Sequence, residues 1–230
     1  MQIRIPHRRE SSVETRRRLF LSFFGRMLRF VYLDAEDANR VIGFGSKEPL
    51  TLRLLDLLGP GDVFLDVGAS IGIYSIPAAA KVGATGRVIA VEADPRKATK
   101  LAHNVEINHF QGRINVERVV AGEVSSADLG ERTLDSVLVS KQYPDPTVIK
   151  IDVDGPELQV LRGLQSTIRT NSRLRLLQVE FSDSNVELIE YLRGLGFKLV
   201  DFETYRNPKL FMGGSITGNG WFVRRQESLT

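Results

Sequence analysis

The run Val63-Phe-Leu-Asp-Val-Gly-Ala-Ser-Ile-Gly-Ile-Tyr74 constrains this chain more than any other, because an apolar strand meets Asp66 and then two glycines where a helix is due to begin. A second apolar run, Val88-Ile-Ala-Val-Glu92, ends on another acid, at the spacing of about twenty residues that puts it on the tip of the neighbouring strand. Together they read as a strand, turn, helix, strand unit that holds an adenosine-containing ligand. Gly68 and Gly72 let the backbone approach the ligand and turn its N–H groups toward it, and the helix N-terminus adds partial positive charge suited to a carboxylate. Glu92 is placed to accept hydrogen bonds from both ribose hydroxyls.

Details of the loop separate the possible ligands. A dinucleotide is usually met by G-x-G-x-x-G, whereas here Asp66 takes the place of the first glycine. An acid at a strand tip repels a pyrophosphate and attracts an ammonium. No Lys or Arg lies between Val63 and Lys81 to balance phosphate charge, and no G-x-x-x-x-G-K-[ST] loop is present. S-adenosylmethionine, with its ammonium, carboxylate, sulfonium and ribose, fits this chemistry better than a nucleotide phosphate. A plain tight turn also explains two glycines, but it leaves the acids at two adjacent strand tips to coincidence.

A chain of 230 residues that is 42% hydrophobic can bury a sizeable core, and one domain with a terminal extension is the natural expectation. Without cysteine there are no disulfides, thiolate zinc sites or cysteine nucleophiles, and His7, His103 and His109 are too scattered for a histidine metal cluster. Charge is uneven. Residues 1–33 carry eight arginines against Glu10 and Glu14, while the rest holds 23 basic and 26 acidic residues. A nucleic-acid reading wants positive charge on the ligand-binding domain, interleaved with aromatics, so nucleic acid is set aside as a partner.

In the front segment Phe20, Phe23, Phe24, Met27, Leu28 and Val31 fall on one helical face, with Arg18, Ser22, Arg26 and Arg29 on the other. The expectation is a basic amphipathic helix within an extension over residues 1–45, docked on its own domain. Contact with an anionic membrane surface is the less favoured alternative. The stretch is too short and too charged to span a bilayer, and no small-residue cleavage site follows it, so the cytoplasm is the default location.

Beyond it, the pattern predicts helices at 34–40 and 48–58 and then strands at 63–67, 87–92, 114–121, 147–153, 174–181, 197–202 and 220–225. Further helices are expected at 73–82, 95–108, 156–168 and 186–195, with less regular structure at 122–146. This alternation predicts an α/β fold: a mostly parallel seven-stranded sheet with helices on both faces. Ligands of such sheets sit outside the carboxyl ends of the strands. That puts Asp66, Glu92, Asp152, Asp154 and Glu180 on one rim.

At this point the chain resembles the FkbM-type methyltransferases. The matching residues are Gly61 to Tyr74, Val91-Glu-Ala-Asp-Pro95, Asn104-Val-Glu-Ile-Asn108, Thr133-Leu-Asp135, Ile149-Lys-Ile-Asp-Val-Asp-Gly-Pro-Glu157 with Val160-Leu-Arg-Gly163, and Trp221-Phe-Val-Arg224. The glycine segment is shared by many methyltransferases; its combination with Lys150 to Glu157 is more particular to this family. Asp154 and Pro156 stand where the family usually shows Glu and Ala. The resemblance covers about residues 46 to 225 and implies a methyltransferase domain over 46–230 with the Rossmann-like class I fold. It also implies S-adenosylmethionine as cofactor and a hydroxyl acceptor of the sugar or polyketide type. Cofactor-binding candidates are then Glu48, Asp66, Gly68, Ala69, Ser70, Gly72, Tyr74, Glu92, Ala93 and Asp152, with Glu48 resting on the resemblance alone.

Hydroxyl acceptors need a base to take the proton as attack proceeds. Asp152 and Asp154 are the catalytic candidates. Strand alternation points them the same way, and two close carboxylates push one pKa upward. Capping of the following helix is an equal alternative for Asp154. Glu180 can join them around a divalent cation, but nothing in the spacing specifies octahedral geometry, so a metal is the weaker reading. The loop from Tyr205 to Gly220 either covers the acceptor or merely connects two strands. A cofactor-binding scaffold without turnover is the alternative to an enzyme. Oligomeric state is not legible.

Overall fold

The computed structural model describes residues 3–4, 18–32, 34–44, 46, 48–126, 130–182, 185–204 and 217–224. The front of the chain forms β1 (Ile3–Arg4), β2 (Arg18–Phe23), β3 (Arg26–Val31), α1 (Ala35–Ile42) and α2 (Pro49–Asp56). Then come β4 (Val63–Val67), α3 (Ser75–Val82), β5 (Arg87–Val91), α4 (Pro95–Ile107), β6 (Ile114–Glu117), β7 (Val120–Ala121), β8 (Glu131–Arg132) and α5 (Leu134–Ser140). The last part holds β9 (Val148–Ile151), α6 (Glu157–Gly163), α7 (Gln165–Thr170), β10 (Leu176–Ser182), α8 (Val186–Gly194), β11 (Phe197–Thr204) and β12 (Thr217–Arg224).

Seven strands make the central sheet in the order β11-β12-β10-β9-β4-β5-β6. β12 runs antiparallel to β10 and β11, and the other neighbours are parallel. From β4 the chain steps outward through β5 and β6, then returns to the far side of β4 at β9. That reversal makes the carboxyl ends of β4 and β9 the switch point where such sheets bind ligands.

β4 is apolar along almost its whole length because both faces are covered. Phe64 belongs to one core with Ile76 and Leu101, and Leu65 to the other with Val160 and Leu161. Asp66 shares the Phe64 face, and register sets it beside Lys150 of β9, which neighbours Gln178 of β10, which neighbours Trp221 of β12. This buried polar row is partnered. Trp221 Nε1 donates to Gln178 Oε1 at 2.9 Å, Gln178 donates to Thr51 Oγ1, and Lys150 pairs with Asp66.

The expected front helix is a β-hairpin instead. Leu19, Leu21 and Phe23 are buried on β2, and Leu28 and Phe30 on β3, which is a period of two. Phe24 and Gly25 form the two-residue turn with φ of 50° and 68°, the left-handed pair that a tight hairpin needs. Phe24 and Met27, placed in the core by the helical reading, are 63% and 50% exposed. The segment does dock on its own domain, since its buried side chains belong to the Phe64 core.

β3 is an edge strand, and α4 satisfies its open edge. Val31 N donates to Asn104 Oδ1 at 2.8 Å and Arg29 N to Asn108 Oδ1 at 2.9 Å, while the two amides donate back to the carbonyls of Val31 and Arg29. Two asparagines one turn apart thus imitate a neighbouring strand. Asn104 Nδ2 also reaches Ile71 O, tying the hairpin to the glycine loop. Asn104→Ala strands these buried groups and is expected to lower urea-unfolding stability by about 2–3 kcal/mol, against at most about 1 kcal/mol for the more exposed Asn108→Ala. Equal losses would remove Asn104 as the anchor.

Smaller differences have local causes. The strand expected over 114–121 is divided into β6 and β7, and the helix over 156–168 breaks at Leu164 into α6 and α7. Gly213 and Gly214 lie outside the described residues, but Gly218 and Gly220 belong to β12. A Cβ on Gly218 would lie 1.9 Å from Glu203 O and one on Gly220 2.4 Å from the Phe181 ring, so these two glycines serve close strand packing rather than mobility.

Candidate active site

The carboxyl ends of β9, β4, β5 and β6 border a crevice of about 160 Å³. Asp152 and Asp154 line it after β9, Gly68 and Ser70 after β4, and Glu92, Ala93 and Lys97 after β5; Val119 to Ala121 follow β6, and Arg40 enters from the last turn of α1. Gly68 has φ of 80°, and a Cβ there would lie 1.7 Å from Asp152 O. Only glycine lets the β4 tip close on the residue after β9.

The loop uses its N–H groups differently from expectation. Gly68 N and Ala69 N both donate to Val91 O at 3.0 Å, Ser70 N to Glu92 Oε2 at 2.7 Å, and Gly72 N to Ala69 O at 2.9 Å. α3 starts only at Ser75, so no helix N-terminus opens at Gly72. Gly72 instead makes room for Leu101, whose Cδ1 would lie 2.5 Å from a Cβ. Glu92 is held by two backbone donors, Ser70 N and Asp94 N, which aim its remaining lone pairs.

Asp66 is not on the rim. It is fully buried, accepts from Ser75 Oγ at 2.5 Å and lies 3.6 Å from Lys150 Nζ, because sheet parity turns it to the helix-covered face. Lys150 Nζ also lies 3.0 Å from Asp152 Oδ2 and 5.4 Å from the Tyr74 ring centre. Tyr74 donates to Glu48 Oε2 at 2.8 Å, so Glu48 and Tyr74 join the setting of Lys150 and are not among the crevice-lining residues. Burial opposes the lysine's charge, but Asp152, Asp66 and Glu48 outweigh it and hold its pKa above the usual range. Burial likewise opposes the Asp152 carboxylate, and Lys150 overcomes it and keeps Asp152 below its ordinary value. Asp66 is the acid that burial pushes up, despite Lys150 and Ser75.

Asp152, Asp154 and Glu180 bring carboxylate oxygens within 4.8 Å of one another. Glu180 is pushed up to about 8 by burial and by the charge of Asp152, with which it shares a hydrogen bond. Three acids this close can share a cation or a proton. Asp154 is exposed, with φ of 58°, a conformation uncommon outside glycine. It does not cap α6: the N-cap position is Pro156, and Glu157 accepts from Val153 N and Gly155 N across the turn.

Lys150, Arg40, Glu157 and the basic character of Glu180 escaped the sequence reading. A lysine inside an apolar strand was a usable signal for Lys150, because a buried ammonium requires acids around it. Arg40 carried no signal beyond its charge.

A family model described as the methyltransferase FkbM domain matches residues 121–199, and one described as the TRM5/TYW2 methyltransferase domain matches residues 46–154. Among curated relatives, the protein-L-isoaspartate O-methyltransferase of Aeropyrum pernix is 30% identical over 182 residues, covering 69% of this chain and 68% of its own length. The hexuronic acid methyltransferase AglP of Haloferax volcanii is 25% identical over 166 residues, covering 64% and 68%. The tRNA (guanine(37)-N(1))-methyltransferase of Aedes aegypti is 44% identical over 62 residues, so this chain spans only 10% of its length. Of solved structures, Trm5b from Pyrococcus abyssi superposes with a TM-score of 0.56 at 14% identity, over 91% of this chain and 56% of that one. A putative tRNA (m1A22) methyltransferase of Streptococcus pneumoniae in complex with S-adenosyl-L-methionine gives 0.51 at 17%, over 80% and 75%.

Sheet order, crevice and relatives define an S-adenosylmethionine-dependent methyltransferase with the Rossmann-like fold. Within that class the chain's second half, residues 121–199, matches the methyltransferase FkbM domain. The crevice fits the cofactor. Acids at the β9 end suit ammonium and sulfonium, Glu92 suits the ribose, and Val119 and Ala121 offer an apolar wall for adenine. Ser70 Oγ, buried with no hydrogen-bond partner among the described residues, is a polar atom such a ligand would satisfy. Gly68→Ala is expected to destabilise the fold by about 1–3 kcal/mol through overpacking and to abolish calorimetrically detectable cofactor binding. Unchanged affinity would show that the β4–β9 junction does not shape the crevice.

One expectation is overturned. Nucleic acid was set aside as a partner, but the TRM5/TYW2 match and the similarity to a tRNA methyltransferase contradict that exclusion. It rested on finding no basic surface in the ligand-binding part, yet the fold joins the arginine-bearing hairpin to the Phe64 core of that domain. No helix among the described residues is long and apolar enough to cross a membrane.

Proposed function

We propose that the chain methylates a hydroxyl oxygen of a small molecule of the sugar or natural-product type. The observation that carries this reading is the closeness of the Asp152 and Glu180 carboxylates at the switch point, which raises the Glu180 pKa. When bound, the cofactor supplies an activated methyl on a sulfonium. The chain's own residues then align the acceptor and take its proton. Glu180 is the base: a carboxylate with a pKa of about 8 is far better matched to an alcohol than an ordinary one. Asp152, pinned by Lys150, stays ionised and keeps Glu180 basic. Asp154, exposed and lining the crevice, stands beside this pair. Support comes also from the reach of the similarity to the hexuronic acid methyltransferase, which covers 64% of this chain and so extends well beyond the cofactor loop.

A second reading, an RNA acceptor, is favoured by the TRM5/TYW2 match over residues 46–154. Incubation with methyl-labelled S-adenosylmethionine and, in parallel, hexuronic-acid oligosaccharides and tRNA transcripts separates the two. Label on a sugar oxygen supports the first reading, and label confined to tRNA replaces it with the second.

A further inference from the structure

We propose that Arg40 clamps the cofactor's carboxylate: its guanidinium, carried to the crevice by the last turn of α1, binds the carboxylate at the methionine end of S-adenosylmethionine. This rests on the identity of the cofactor and is independent of the acceptor.

The order of strand tips sets the direction in which the cofactor lies. Glu92 after β5 takes the ribose. On one side of it, past β6, the crevice is walled by Val119 and Ala121; on the other, past β4 and β9, stand Asp152 and Asp154. The adenine ring goes to the apolar side and the methionine end to the acids. Those acids attract the ammonium and sulfonium but repel the carboxylate bonded to the same carbon as the ammonium. A cation is therefore required at the β9 end.

Among the described residues, few can supply it. Lys150 is close, but it is 1% exposed, committed to Asp66 and Asp152, and not part of the crevice lining. Lys97 lines the crevice beside Glu92 and Ala93, on the ribose side. Arg40 remains, with Asp152 and Asp154 near enough to act on its charge. Its fork offers five donors, and the hydrogen bond recorded among the described residues uses Nη2 alone, to Glu36 Oε1 at 3.1 Å. That partner is an exposed i,i+4 neighbour, a weak pairing that a carboxylate in the crevice can displace.

The surrounding fold keeps Arg40 in place. Asp34 caps α1 by accepting from Glu36 N and Asp37 N at 2.9 and 3.0 Å. Just past the helix, Phe44 is buried between Phe23 of the hairpin and Tyr74, with both ring centres at 5.7 Å. The basic front segment thus acquires a role: it is the footing that holds α1 over the methionine end.

Calorimetry on the full chain with S-adenosylmethionine and with its decarboxylated analogue tests the clamp, because the analogue keeps ammonium and sulfonium and lacks only the carboxylate. Arg40→Gln is expected to lose roughly 10- to 100-fold in affinity for S-adenosylmethionine and little for the analogue, the size of a charge-assisted bidentate contact. Arg40→Lys retains part of that affinity. Glu36→Gln, which frees the guanidinium, is expected to bind S-adenosylmethionine more tightly and the analogue unchanged. Equal weakening toward both compounds, or no weakening toward either, overturns the proposal. Should Arg40→Gln fail to fold, Glu36→Gln decides, and an unaltered preference for the carboxylated compound counts against the clamp.

Discussion

Lys150→Met is expected to destabilise the protein by about 3–5 kcal/mol at neutral pH, the effect of removing one partner from a buried ion pair and leaving the other uncompensated. The lysine is 1% exposed and stands between Asp66 and Asp152, so methionine fills its volume but leaves the buried Asp66 and the crevice-lining Asp152 without the ammonium between them. The pH dependence identifies the cause. Asp152 has its pKa depressed by Lys150, so the stability it contributes is present above the ordinary aspartate pKa and lost as pH falls through the lower folded value. Without Lys150 that contribution vanishes, and the gap between wild type and variant narrows as the medium is acidified. Urea unfolding followed from pH 7.5 to below the ordinary aspartate value of 3.8 measures this gap; the same difference throughout would mean that packing, not charge, is what the lysine supplies. Asp66→Asn is expected to cost much less. Burial already drives Asp66 toward its neutral form, and an amide oxygen can still accept from Ser75 Oγ.

This ion pair also marks the boundary of what could be read from residues in order. Val63 to Gly72 announced β4 and its turn because local pattern and tertiary role agree there: an apolar run, then glycines that a positive φ and a 1.7 Å approach require. Glu92 was found for the same reason, since spacing along one chain segment fixes it at the next strand tip. Asp66 was read as a rim acid because its partner lies on a strand far away in sequence, and only sheet register sets Lys150 beside it. The front segment failed through competing periods. Phe20, Phe23, Phe24, Met27 and Leu28 satisfy 3.6, whereas Leu19, Leu21, Phe23, Leu28 and Phe30 satisfy 2, and Phe24-Gly25 was a turn inside the pattern. The exclusion of nucleic acid went wrong by a related step, because arginines on a segment treated as separate were not counted with the domain into which they fold. Glu180 was placed on the correct rim but given only a metal role; its basicity depends on a contact with Asp152 across two strands.

Glu180→Gln is expected to lower kcat by about 10²–10⁴-fold, the usual worth of a positioned general base, and to remove the pH dependence that accompanies it. As a base Glu180 must be ionised before attack, so the wild-type rate rises with pH and levels off above about 8. The same titration opposes stability. A carboxyl whose folded pKa is raised contributes stability that is complete below the ordinary glutamate value and is lost as pH rises through about 8. Wild-type Tm should therefore fall between pH 6 and pH 9 relative to the glutamine variant, in which this titration is gone. The melting experiment needs no acceptor and reads the proton alone. The rate experiment reads whether that proton is used. If the melting difference is found but the rising limb of kcat survives in Glu180→Gln, the proton held by Glu180 is structural, and Asp154, the exposed acid beside this pair, becomes the residue to replace next. If neither effect is found, the Asp152–Glu180 pair does not hold a proton near neutrality, and the attack on a hydroxyl loses its base.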